Sequence, residues 1–221
     1  MVWDWSYALS IIPVLAQASI VTIEATVLGF VVAAILGLVL AILRMSPLRI
    51  VSVPAGLFVE FIRSTPLLIQ IFFLYFVFPE FGITLDAFVA GVIAIGLHYA
   101  TYCSEVYRAG LDNVPRGQWE ASIALNLSGY HTFRDVIIPQ AIPPVVPALG
   151  NYFVALFKET PLLSAIAVIE LMQRAKILGS QTFRYIEPIT LVGVFFLAMS
   201  LLAALLIRYV ERRIALRGTR P

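Results

Sequence analysis

Five stretches of this sequence are apolar over the roughly 20 residues that a helix needs to cross the hydrocarbon core of a bilayer. They run from about Gln17 to Leu43, Leu57 to Phe78, Leu85 to Ser104, Val146 to Leu171 and Ile186 to Tyr209. Charge is scarce to match: 13% of the 221 residues are charged and 61% are hydrophobic. A water-soluble domain carries about 25% charged residues, because its surface must be solvated. The expected fold class is therefore an all-α membrane protein with five transmembrane helices, organised as a single domain over residues 1–221. A formal charge of +2 gives no footing for nucleic acid, and the lone Cys103 excludes an intramolecular disulfide framework or a multi-cysteine metal site.

The basic residues orient the chain. With the C-terminus in the cytoplasm, the cytoplasmic segments hold Arg44, Arg49, Arg108, Arg116, Arg134, Arg208, Arg212, Arg213, Arg217 and Arg220, and the outside holds Arg174, Lys176 and Arg184. That asymmetry places the N-terminus outside and the C-terminus inside. Trp3, Trp5 and Tyr7 then fall at the outer interface, where aromatic side chains concentrate. The first basic residue is Arg44, after the first apolar run, so that run is expected to stay as a span rather than act as a cleaved signal peptide. Pro79 and Gly82 predict a tight turn after the second span.

Between the third and fourth spans, Glu105 to Val145 is too polar to cross and too patterned for a slack loop. Pro115 can open a short helix, with Asp112 or Asn113 as its cap. Asn126 can end that helix in the left-handed conformation. Ser128 can cap a second helix that Pro139 is expected to close. Two readings of this helix–turn–helix stand: a plain connector, or a small-residue helix that enters a groove on a partner.

The wording of the segment resembles a known family, the permease subunits of bacterial binding-protein-dependent ABC importers of the polar amino acid branch. Their cytoplasmic loop begins Glu-Ala-Ala, has Gly a few residues on and ends in Leu-Pro. Here Gly117, Gln118, Trp119, Glu120, Ala121 and Ser122 are followed by Asn126, Leu127 and Ser128, then Ile138 and Pro139. Ser122 replaces the second Ala and Asn126 the Gly; both keep the small size or the left-handed turn. Glu60 to Gln70, Tyr102 to Ala109 and Lys158-Glu159-Thr160-Pro161-Leu162 resemble three further blocks of the family, in the family's order. The stretch Phe183 to Pro188 and the wording around Lys158 look most like the ectoine and hydroxyectoine permeases of that branch.

The resemblance implies a division of labour. A pair of permeases encloses the solute path, and a homologous second chain is the expected partner rather than a copy. The loop residues Gly117, Gln118, Glu120, Ala121, Ser122, Asn126, Ser128 and Pro139 would dock on a cytoplasmic ABC ATPase dimer, and an extracytoplasmic binding protein would deliver solute. Such a permease sits in the bacterial inner membrane and passes through it several times. The chain has no Gly-rich loop followed by Lys-Ser or Lys-Thr to cradle nucleotide phosphates, so ATP hydrolysis belongs to another polypeptide and no cofactor is expected.

Polar groups inside the spans are the candidates for the path, since a charge at the bilayer centre costs about 2.5–3.5 kcal/mol on insertion scales. Lys158 and Glu159 head the set, with Thr160, Gln70 and Asn151 beside them. Glu159 can bind the cationic part of a zwitterionic solute, or pair internally with a basic residue on another span. Gln70 and Asn151 can line the path or only hydrogen-bond between helices. Arg63 is expected to snorkel to the headgroups, Glu105 and Arg108 to pair along one helix, and His98 to bond between helices. His98 and His131 are too few and too far apart for a metal cluster, and no catalytic constellation emerges, so no enzyme activity is expected. The rival reading is an ion-coupled secondary transporter, which calls for repeats in matching halves that this sequence does not display.

Overall fold

In a computed structural model, which describes residues 3–218, the chain is a bundle of helices. α1 (Trp5–Arg44) runs out to in and is followed by α2 (Arg49–Arg63). α3 (Leu67–Phe72) leads through a wide π turn and a 3-10 turn to Phe81. α4 (Ala87–Asp112) returns inward, α5 (Arg116–Ala124) and α6 (Gly129–His131) form the inner elbow, and α7 (Ile138–Glu159) climbs outward. A 3-10 turn over Thr160–Ile166, the outer helix α8 (Leu171–Thr182) and the final helix α9 (Ile186–Gly218) complete the order. Four helical stretches are long and apolar enough to cross a bilayer, and α2 with α3 makes a fifth candidate bent by 102°.

The core is the seam between α1 and α4. Its α1 side presents Thr22, Thr26, Gly29, Ala33 and Gly37, all buried, so that two backbones can approach closely. A Cβ added at Gly37 would sit 2.6 Å from the Cβ of Cys103 and 2.9 Å from the carbonyl oxygen of Ala100. Such a seam replaces the hydrophobic drive that lipid cannot supply with van der Waals contact. α9 is the opposite case: 6% of its most apolar window is buried, against 61% for α4.

Several sequence expectations change here. The second span does not run straight from Leu57 to Phe78: Pro66, with ψ 137, cannot continue a helix, and the chain turns sharply at Ser64–Pro66. Glu105 to Asp112 belongs to α4, not to the elbow, and Asn113 ends α4 instead of capping α5. Pro139 does not close the second elbow helix; it lies in the first turn of α7, where its missing donor costs nothing. The first span begins at Trp5 with Pro13 inside it, the fourth ends at Ile166, and the stretch after it, which carries Arg174 and Lys176 of the orientation count, folds as α8. The turn at Gly82 has φ 80, as its glycine suggested. Arg44, Arg49, Arg108, Arg116 and Arg134 gather at one end of the bundle or the elbow beyond it, while Arg220 of the orientation count lies outside the described residues.

Candidate functional site

The inner elbow is stiff. Asn126 takes φ 52 and ends α5, with its own N–H donating to the Ile123 carbonyl at 2.9 Å and the Leu127 N–H donating to the Ser122 carbonyl at 3.0 Å. Ser128 accepts from the His131 N–H at 3.4 Å and so caps α6. The Trp119 and Phe133 rings meet edge to face, centroids 5.2 Å apart, pinning α5 against the helix that follows. Gln140 Nε2 donates to Gln118 Oε1 at 3.3 Å, and Val114, Ile137 and Ala141 form a small core under the elbow.

Of the docking candidates, Gly117, Gln118, Glu120, Ala121, Asn126, Ser128 and Pro139 are exposed. Ser122 is buried and its hydroxyl donates to the Gln118 carbonyl at 2.8 Å, so it packs the elbow instead of offering a surface. Gly117 has no atom within 4 Å of the place a Cβ would occupy. Ile123 is 77% and Leu125 74% exposed, with Tyr130 and Phe133 also open to solvent. Burying one such aliphatic side chain would be worth about 1.5–3 kcal/mol.

Within the bundle, the polar candidates separate into two groups. Asn151 and Lys158, seven apart on α7, line one open cavity of about 540 Å³ between α7 and α9, together with Arg208 and Glu211. Glu159 lies half-buried, about 100° from Lys158 around α7. Thr160 is fully buried, its hydroxyl donating to the Phe157 carbonyl at 2.8 Å. Gln70 is committed to the chain break. Its Nε2 donates to the Ile62 carbonyl at 2.7 Å, to the Thr65 hydroxyl at 2.7 Å and to the Thr65 carbonyl at 3.1 Å. Its Oε1 meets His98 Nδ1 at 3.2 Å, which makes Nδ1 the protonated nitrogen and gives the interhelix bond expected for His98.

Sequence reasoning missed an aromatic cluster between α4 and α7, whose Tyr152 lies seven residues before Glu159 and so nearly on its face of α7. Tyr99, Tyr102 and Tyr152 stand with ring centroids 5.5 to 6.2 Å apart, and His98 abuts Tyr102 at 5.4 Å. Its signal was present: His98, Tyr99 and Tyr102 are three polar-tipped rings on one turn of an otherwise apolar span. Arg63, at the inner end of α2, also has partners on α4. It lies 5.1 Å over the Tyr102 ring and 3.4 Å from Glu105 Oε1, an acceptor it shares with Arg44 at 2.7 Å. Glu105 also holds Arg108 at 3.2 Å, the local pair that the sequence suggested.

This architecture, five apolar crossings with a rigid elbow between the third and fourth, has counterparts. Residues 33–216 match the family described as binding-protein-dependent transport system inner membrane component. This chain belongs to that family. It is therefore a permease, a membrane transport component rather than an enzyme. It is 47% identical over 215 residues to a probable amino-acid ABC transporter permease of Sinorhizobium fredii, covering 97% of this chain and 93% of that one. The L-cystine transport system permease of Bacillus subtilis is 37% identical, covering 91% of this permease and 87% of its own length. A crystal structure of an amino acid ABC transporter with histidines superposes with a TM-score of 0.90 at 35% identity, covering 96% of this chain and 100% of that one. The methionine transporter MetNI, in an inward-facing form, shares the fold at a TM-score of 0.71 and 20% identity over 96% of this chain and 99% of that one.

Proposed function

We propose that this permease, acting as one transmembrane domain in the bacterial inner membrane, imports a small zwitterionic solute of the polar amino acid class. A cytoplasmic ABC ATPase dimer docks on the inner elbow, a homologous second permease completes the path, and an extracytoplasmic binding protein delivers the solute. The observation that carries this reading is the elbow itself: two short helices locked by Trp119–Phe133 and by the left-handed Asn126, with Ile123 and Leu125 open at the surface. A stiff projection transmits a partner's motion, whereas a slack loop absorbs it. The two ATPase states then bias two arrangements of the bundle that differ in affinity for the solute.

The path follows α7. Glu159 and Tyr152, nearly on one face of α7, with the rings of Tyr99 and Tyr102 suit an ammonium group, which carboxylates and aromatic faces both attract. Asn151 and Lys158, a quarter-turn away around the same helix, suit a carboxylate. The relatives named for amino acids and for L-cystine support the amino acid class over ectoine.

Reconstitution of the assembled transporter tests the docking. Glu120→Lys and Ala121→Arg are expected to leave membrane insertion intact while ATP hydrolysis no longer drives uptake. Normal coupled uptake in both variants would remove the elbow from the mechanism. A solute panel of polar amino acids, cystine and ectoine tests the class, and Glu159→Gln is expected to raise the half-saturating solute concentration.

A further inference from the structure

The second crossing of this family member starts late, and the helix before it has chemistry of its own. α2 is 15 residues long, about 22 Å at 1.5 Å per residue, yet it gains no depth in the bundle. Val59 packs with Leu40 of α1 and Ala100 of α4. Four residues later Arg63 reaches the Glu105 Oε1 that Arg44, the last residue of α1, already holds. A helix climbing antiparallel to α1 from Arg49 would bring its residue 63 far above Arg44. Here both helices finish at the same level, and the outward climb belongs to the segment Leu67–Phe81, bent by 102° from α2.

The faces of α2 agree with that course. At 100° per residue, Val53, Leu57, Ile50 and Phe61 fall within about 80° of one another, and all four are exposed, Ile50 at 83%. Ala55, Val59 and Ile62 are buried against the bundle. Arg49, Ser52, Glu60 and Arg63 form the third arc, which lies between the other two. A helix with a protein flank, an apolar flank and a polar strip between them is built to lie flat at a membrane surface.

We propose that α2 is an in-plane amphipathic helix in the cytoplasmic leaflet, with Ile50, Val53, Leu57 and Phe61 seated among the acyl chains just below the phospholipid headgroups. The polar strip then faces the headgroups and the cytosol, and Arg63–Glu105 anchors the end from which the crossing begins. The occupant of the exposed stripe is lipid, because the strip beside it carries the charges that an interface between two buried surfaces would have to desolvate.

Nitroxide labels test this in the assembled transporter, reconstituted in phosphatidylethanolamine and phosphatidylglycerol vesicles. Ile50→Cys, Leu57→Cys and Phe61→Cys are labelled singly, and depth is read from collision with oxygen against a water-soluble nickel chelate. Ile35→Cys and Ile42→Cys on the exposed side of α1 calibrate the scale. The three α2 labels are expected within about 5 Å of one depth, near the headgroups, where a crossing helix would separate residues 50 and 61 by about 16 Å. Arg49→Cys and Glu60→Cys are expected to react with a membrane-impermeant maleimide from the cytoplasmic side. A graded depth along α2, or protection of Glu60→Cys, overturns the in-plane course. Shielding of all three labels from oxygen and nickel alike overturns lipid as the occupant and assigns the stripe to the second permease.

Discussion

The two elbows of the bundle reverse the chain with the same local grammar and opposite surroundings. On the inner side Asn126 (φ 52) is followed by the Ser128 cap; on the outer side Ala167 (φ 60) is followed by the Glu170 cap of α8. Ser128 is exposed and its cap bond is 3.4 Å long. Glu170 is 0% exposed and takes 2.8 Å bonds from the N–H groups of Met172 and Gln173, while the Leu171 N–H donates to Thr22 of α1 at 3.2 Å. The outer elbow is tied further by Arg184, which pairs with Glu187 and lies 3.6 Å from Asp4. Hydrogen bonds from the Ser6 hydroxyl and the Tyr7 N–H, more than Arg184, hold the Asp4 carboxyl below its usual range. One elbow is finished by the chain itself. The other leaves Ile123 and Leu125 open at the surface.

That contrast breaks if the wrong elbow governs the wrong property. The largest effect is expected from Gly117→Leu, which has free space within the chain. Uptake should fall at least about tenfold, a loss of roughly 1.4 kcal/mol or more in coupling, with the melting temperature unmoved; a drop in melting temperature would show that the inner elbow matters for folding instead. Next comes Glu170→Ala, which removes two cap bonds and leaves a void. A stability loss of about 2–4 kcal/mol is expected in chemical unfolding of the detergent-solubilised permease. Ser128→Ala should cost only about 0.5–1 kcal/mol in the same assay, because its cap lies in water.

Acidity sharpens the comparison. Burial pushes the Glu170 carboxyl up to about 7, against 4.5 for a free one, although the Met172 and Gln173 N–H groups oppose the shift. Between those values the folded chain binds more protons than the unfolded one, so stability falls as pH rises and is flat outside the window. The fall is at most ~3 kcal/mol at this shift. Unfolding followed from about pH 4 to about pH 8 should show this slope in the wild type and lose it in Glu170→Gln. An unchanged slope in the variant would assign the pH dependence to another group.

Much of the fold was legible because its determinants are local. Apolar length located the spans, Asn126 and Ser128 marked the inner turn, and Glu105–Arg108 followed from helical spacing. The second span was misread because apolar residues resume on both sides of the polar stretch Arg63 to Pro66, and composition does not say in which direction a broken helix resumes. Pro139 was misread because proline ends one helix and opens another equally well. α8 went unseen because its cap, Glu170, looks like any other residue of a span's end until its burial is known. The tyrosine cluster and the Gln70 brace arise between helices, where one sequence carries little register information. For Gln70 the sequence left two roles open, lining the path or bonding between helices, and both ends of its amide are used by the protein.

The prolines of α7 have a mechanical consequence. Pro143, Pro144 and Pro147 sit inside that helix, so the carbonyls of Pro139, Gln140 and Pro143 lack their helical donors. From Leu149 to Glu159 no proline interrupts the ladder. α7 is thus a rod with a compliant foot and a stiff shaft, joined below to the elbow and carrying Asn151, Lys158 and Glu159 above. Under the proposed coupling, a push at the foot would be spent partly as bending before it turned the shaft, and the stroke at the charged residues would be smaller and smoother than the stroke received.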